Sequence, residues 1–187
     1  MEVVGIFGTE EEILCSVQWH DPDSGIESGD LPDALSQLYN EWNDPQYLRD
    51  FFNEFEKDYR DRGGNDRIRN IVRDARKEGL ELLKSIDELA KNHNSEGLEV
   101  LFTPLADNDE AIEPSRIKAY GGAYKSYMRV YAIKHNGVYY ITGGTIKLTQ
   151  KMQGRSHTEK ELYKLKVMRE FLEGGVELYE YYITPEQ

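Results

Sequence analysis

Arg116, Lys118, Lys125, Arg129, Lys147 and Lys151 interleave with Tyr120, Tyr124, Tyr127, Tyr131, Tyr139 and Tyr140 in one stretch of the chain. Arginine keeps its charge and suits two-point contact with phosphate, whereas a lysine held among other cations gives up its proton more readily. Tyrosine rings can stack on unpaired bases, although tyrosine is also a favoured strand residue, and packing accounts for most of them. Residues 115–169 hold 12 lysines and arginines against only Glu159 and Glu161, a balance of +10 within a chain of −12. Residues 1–114 carry −17 and residues 115–187 carry +5. Charge segregated in this way suggests that one surface meets a polyanion, with RNA the first candidate, while the rest keeps the molecule in solution.

Other chemistries find little support. The single Cys15 cannot form an internal disulfide and reads as a packed thiol. The histidines at 20, 93, 135 and 157 form no pair at helical spacing and have no cysteine partner, so no zinc site and no cofactor are expected. The acidic run from Asp21 to Glu27 lacks the ordered ligand series of a calcium loop and reads as a solvated turn. With 187 residues, 39% apolar and 31% charged, the chain is expected to form a single domain over 1–187. It has no apolar run of the ~20 residues a membrane span needs. Three consecutive glutamates near the N-terminus do not fit a signal peptide, so a cytoplasmic location is expected.

These side chains need a scaffold, and the periodicity predicts an α+β one. Apolar runs at 3–7 and 13–19 predict a leading strand or hairpin. Asp30 or Leu31 before Pro32, and Asp44 before Pro45, predict helix starts for 32–42 and 45–60. The second helix sets Leu48, Phe51, Phe52, Phe55 and Tyr59 on one stripe. A longer helix over 66–91 turns Ile68, Val72, Ala75, Leu82 or Leu83, Ile86 and Leu89 inward and leaves Arg67, Arg69, Arg73, Arg76 and Lys77 as a solvated face. Strands are expected at 98–103, 116–120, 124–134 and 138–148, with an exposed loop over 107–114 and a hairpin turn at Asn136-Gly137. A capping box, Ser156 with Glu159 or Thr158 with Glu161, predicts a last helix carrying Leu162, Leu165, Met168 and Leu172 to Gly174-Gly175. The Tyr-rich tail 176–183 reads equally as an edge strand or a loose end.

The run Arg116-Ile117-Lys118-Ala119-Tyr120-Gly121-Gly122-Ala123-Tyr124-Lys125, with Met128 to Tyr131, resembles the central strands of the RelE/ParE superfamily of toxins from bacterial toxin–antitoxin pairs. Tyr139 to Lys151, followed by Glu159-Lys160-Glu161-Leu162, resembles the HigB-like, phage-derived branch, in which a last strand runs into a Lys-x-Thr-Gln-Lys segment and an acidic helix start. The resemblance covers about 98–172, and the helices of 45–91 fit the family's helical layer. The chain departs from the family by additions at 1–44 and 173–187 and by its acidic balance.

The resemblance implies a RelE-like antiparallel twisted sheet packed against N-terminal helices, with a C-terminal helix and a core over 45–172. It also implies a toxin that cleaves ribosome-associated mRNA without metal and is held by a cognate antitoxin. Arg129 and Lys147 would then lie at the phosphate, with Lys118 or Lys147 as base, and Arg116, Lys125, Lys151 and Tyr131 would grip the RNA. His157 is a further acid–base candidate. A catalytically inactive protein-binding module and a ParE-like inhibitor of gyrase stay open as alternatives.

The turn register constrains this reading. A two-residue turn at Asn136-Gly137 pairs Arg129 with Gly144 and Lys147 with Ser126, which leaves the two cations on opposite faces. One site can use both only if a bulge intervenes, and Gly143-Gly144 is the expected place.

Overall fold

The computed structural model describes residues 2–5, 13–20, 31–105, 114–122 and 126–174. At the expected hairpin, Asn136 and Gly137 take φ of +50° and +79°, the left-handed values a two-residue turn requires. The turn joins β5 (Met128–His135) to β6 (Val138–Ile146). With β1 (Glu2–Gly5), β2 (Leu14–Gln18), β3 (Phe102–Pro104) and β4 (Ser115–Tyr120) these form one sheet in the order β1-β2-β6-β5-β4-β3.

Every neighbouring pair is antiparallel except β2 and β6, which run parallel. The sheet is therefore mixed, which corrects the expectation of a wholly antiparallel one. All the helices of the first half lie between β2 and β6 in sequence, so no tight turn forces those strands to oppose.

The helices are α1 (Ala34–Asn43), α2 (Pro45–Glu54), α3 (Glu56–Asp61), α4 (Ile68–Lys91), α5 (Ser95–Leu101) and α6 (Ser156–Leu172). Asp44 caps α2 as expected, its carboxylate accepting the Gln46 N–H at 2.8 Å with Pro45 in the first turn. The cap of α1 is Asp33 rather than a residue before Pro32, and it accepts from Leu35 and Ser36 at 2.9 and 3.2 Å. The helix expected over 45–60 breaks at Phe55, where ψ is +27°.

The strand expected at 98–103 is mostly helix. Asn94 accepts the Gly97 N–H at 2.8 Å, which starts α5 and leaves only Phe102–Pro104 extended. At α6 the capping box does not form, because Ser156 already lies inside the first turn and Arg155 holds the cap position. Glu159 instead accepts the Gly154 N–H at 2.7 Å, and the Thr158 hydroxyl donates to the Met152 carbonyl.

Two apolar layers follow. On one face α1, α2, α4 and α5 bring Leu38, Trp42, Leu48, Phe52, Leu83 and Ile86 against Ile117, Met128, Val130 and Ile141. On the other, α6 sets Leu165 and Met168 over Val17, Tyr131 and Ile133. The expected interlayer residues Phe51, Val72, Leu83 and Ile86 are buried, and Phe55 packs at the margin. Leu14, Leu35 and Trp42 lie in the same core, so β2 and α1, both before residue 45, are built into the sheet and its helical layer. Cys15 is half-buried on β2.

The run 21–27, most of the loop 107–114, Tyr124, Lys125 and the tail 176–183 lie outside the described residues. Among the described residues no helix is long and apolar enough to cross a membrane.

At Gly144 a methyl group would sit 2.5 Å from the Arg129 carbonyl oxygen and 2.9 Å from Leu38, whereas at Gly122 it would meet nothing within 4 Å. Gly144→Ala is therefore expected to destabilise the fold by about 1–3 kcal/mol, the range for overpacking a filled site. Gly122→Ala should be close to neutral. Urea unfolding of the two variants, read at unchanged m-value, checks the contrast.

Candidate functional site: a cation cluster at the open end of the sheet

From His135 opposite Val138 to Ala132 opposite Ile141, β5 and β6 keep the register set by the turn. The register then shifts by one, so that Tyr131 faces Gly143 and Arg129 faces Thr145. Thr142 is the extra residue, one position before the glycine pair singled out in the sequence. Lys147, two residues past Thr145, continues the ladder by donating its N–H to the Tyr127 carbonyl at 2.8 Å. Arg129 and Lys147 thus share a face.

The contacts around the bulge are specific. Trp19 Nε1 donates to the Thr142 carbonyl at 2.7 Å, and the Thr142 hydroxyl donates to the Tyr131 carbonyl at 3.3 Å. The Glu161 carboxylate lies against Gly143 where a Cβ would stand.

Strand β4 adds to the same face, since Tyr120 opposes Arg129 and Lys118 opposes Tyr131. Arg129 is 7% exposed and donates from one terminal nitrogen to the carbonyls of Ser126 and Met128 at 2.8 and 2.7 Å. Its guanidinium carbon lies 4.0 Å from the centre of the Tyr120 ring, a cation–π contact. Desolvation lowers its pKa, yet an arginine stays charged.

The Lys147 amine, half-buried, donates to the Gln150 carbonyl at 2.7 Å. Burial lowers its pKa from the ordinary lysine value, and repulsion from Arg129, Lys118 and Arg62 lowers it further. Lys118 donates to the Leu105 carbonyl at 2.8 Å and lies 5.8 Å from the Tyr120 ring centre.

Arg62 is the member that sequence reasoning missed. It caps α3, donates to the Lys147 carbonyl at 2.6 Å and stands 5.1 Å from the Tyr127 ring centre. Nothing local marks it, because the contact spans 85 residues and Arg62 sits in the acidic half of the sequence. Glu78 on α4 supplies an opposing charge near Arg129.

The structure thus brings Arg129, Lys147 and Lys118 together. Arg116 is on the same face of β4, two residues from Lys118 and opposite Ile133. Lys151 is exposed after β6. Lys125 lies outside the described residues.

Tyr131 is completely buried beneath α6 and offers no ring face to a base, which corrects its expected role in gripping RNA. His157 is lodged beside Phe51 and Phe55, with ring centres 5.1 and 4.5 Å away, and burial lowers its pKa. That setting is a packing one, apart from the cations. Among the described residues no cluster of three or more His, Cys, Asp or Glu is placed to hold a metal ion.

Chemically, the arrangement can hold an anionic group among three to four cations and presents one amine that releases its proton more easily than a free lysine. Removing a neighbouring positive charge must favour the ammonium form, so Lys118→Gln is expected to raise the Lys147 pKa, read from the lysine 13Cε shift over a pH titration. A Lys147 pKa depressed in the folded state also means that folding stability rises as pH climbs from that value toward the unfolded one; Lys147→Met should flatten this rise in urea melts. Comparison of the chain with protein-family models, with curated proteins and with solved structures gives no match, so any functional reading rests on this geometry and on the sequence.

Proposed function

We propose that the chain is a metal-independent endoribonuclease of the RelE/ParE toxin type, acting on mRNA in the cytoplasm and restrained by a cognate antitoxin. The observation that carries this reading is the bulge at Thr142, which puts Lys147, just past β6, on the face that Arg129 of β5 and Lys118 of β4 already share. The order of elements, a leading strand, helices, an antiparallel meander and a last helix, agrees with the sequence resemblance.

In this reading the neutral Lys147 amine takes the proton of a ribose 2′-hydroxyl, and the 2′-oxygen attacks the adjacent phosphorus. The bond from phosphorus to the 5′-oxygen breaks, and the Lys118 ammonium gives that oxygen its proton. The products are a 2′,3′-cyclic phosphate and a 5′-hydroxyl. Arg129 and Arg62 offset the charge that builds on the phosphorane-like transition state. Tyr120, 40% exposed, presents its ring beside them for an unpaired base.

One observation favours a second reading, a binding module without catalysis. Arg129 directs its hydrogen bonds to two backbone carbonyls of its own chain, as a structural arginine does.

Induced expression of the chain alone is expected to arrest growth and to cut translated mRNA in the presence of a metal chelator, leaving cyclic phosphate ends. Lys147→Ala should lower the cleavage rate on the order of 10²–10³-fold, the usual effect of deleting one transition-state contact. Lys134→Ala, on the opposite face and paired with Glu99, should leave it unchanged. Absence of growth arrest together with absence of RNA binding at low salt would replace the enzyme with the binding module.

A further inference from the structure

A second basic surface lies in the half of the chain that is acidic by sequence. Pro45 and Arg49 of α2 face Arg69, Val72, Arg73, Arg76, Lys77, Leu80 and Glu81 of α4 across a groove of about 540 Å³. The α4 cations recur at intervals of three and four residues, which sets them along one side of the helix. Within a protein of net charge −12, this groove carries five cations against one acid. It shares no lining residue with the sheet cluster.

The groove is partly preorganised. Arg76 is held by Asn43 through contacts of 3.1 Å to the backbone carbonyl and 3.2 and 2.7 Å to the side-chain oxygen, which fixes the α1–α2 corner against α4. Arg49 leans on Gln46 at 3.2 Å, Arg73 bonds Asp74 at 2.9 Å, and Lys77 approaches Glu81 at 3.9 Å. The Arg73 and Lys77 pairs are between surface side chains and hold little energy, so a partner's carboxylates can displace them.

We propose that this groove is a docking site for an acidic protein segment that carries a large apolar side chain between its carboxylates. Charge complementarity supplies the first part of the argument, because arginine forks match carboxylates with two-point geometry. The floor supplies the second. Val72, Leu80, Pro45 and the arginine stems form an apolar strip that a leucine or phenylalanine side chain can cover. Single-stranded nucleic acid fits less well, since its bases need ring faces and no aromatic residue lines the groove. Glu81, at the α4 end of the lining, repels the acidic segment there and so gives the groove a direction.

The experiment is fluorescence anisotropy of the full chain at low and at physiological salt with three labelled probes. One is a glutamate-rich peptide with leucine at every fourth position, the second has serine in place of leucine, and the third is a uridine oligonucleotide. The leucine peptide is expected to bind more tightly than the serine peptide and to weaken with salt. The double variant Arg69→Glu/Arg73→Glu should weaken it on the order of tenfold or more, by replacing attraction with repulsion. Both positions are exposed, and a glutamate at 69 suits the first turn of α4, so the variant should fold; circular dichroism checks this, and Arg69→Glu alone gives a graded second reading.

No binding of the leucine peptide at low salt, or binding indifferent to both variants, overturns the proposal. So does an oligonucleotide that binds in place of the peptide and is lost in the double variant. Cleavage of mRNA does not enter these outcomes, so the ribonuclease reading stands or falls separately.

Discussion

The arrangement of the basic face depends on one backbone irregularity. With a regular ladder from the Asn136-Gly137 turn, Lys147 would point into the helical layer and Arg129 away from it. The one-residue shift at Thr142 reverses every side chain beyond it, because strand side chains alternate with a period of two. Both sides of the sheet hold this shift in place. Trp19, just past the end of β2, ties down the Thr142 carbonyl, and α6 presses Glu161 onto Gly143. On the other face Leu38 of α1 sits where a Gly144 side chain would be. The pairing of β2 with β6 stops at Ser16 and Ile141 although β2 runs on to Gln18, so the bulge falls where the parallel ladder ends and the edge of β6 becomes free to distort.

Electrostatics explains how an acidic chain can present such a face. Among the described residues, acids of the first half pair at one-turn spacing on helix surfaces, Glu56 with Arg60, Glu81 with Lys77, Glu88 with Lys84 and Asp87 with Lys91. Such pairs are screened within about 8 Å at physiological salt, so their field reaches the sheet weakly. The cluster of Arg62, Lys118, Arg129 and Lys147 is partly desolvated instead; burial lowers the Lys147 pKa first, and the neighbouring like charges lower it further. Net charge therefore describes solubility, while the local field describes the site.

The sequence made much of this legible. Periodicity located the main helices, the Asn136-Gly137 turn, the central strands and the residues between layers, and turn arithmetic required a bulge within one residue of where it lies. What escaped has physical causes. Helix α5 was read as a strand because Leu98 to Thr103 is short and apolar enough for either, and the Asn94 cap decided the matter. The parallel partner of β6 carries no local signal, since β2 finds it across the whole helical segment. Arg62 joins the cluster by a contact of the same kind. Tyr131 looked like its neighbours by composition, and only the placement of α6 tells a buried tyrosine from an exposed one. The α4 cations Arg69, Arg73, Arg76 and Lys77 are exposed, as the solvated face expected of them requires, and only the packing of α2 beside them makes that face a groove.

The buried pair under the bulge then takes on a definite part. Glu161 and Lys164 meet at 2.8 Å with side chains only 5% and 7% exposed, and burial pushes the Glu161 carboxyl up while Lys164 pulls it back. One Glu161 oxygen and the Tyr131 hydroxyl have no hydrogen-bond partner among the described residues. A buried pair with an unsatisfied oxygen is a poor source of stability, and apolar side chains of the same volume would serve that end as well or better. Its value lies in position. Both members ride on α6, three residues apart, and what ties them to the sheet is their shared contact with Gly143, where a Cβ would collide with the Glu161 carboxylate and stand 3.0 Å from the Lys164 amine. Because the same glycine follows the extra residue of β6, fixing α6 there also fixes the register that sets Lys147 beside Arg129, and α6 orders the cluster without contributing a side chain to it.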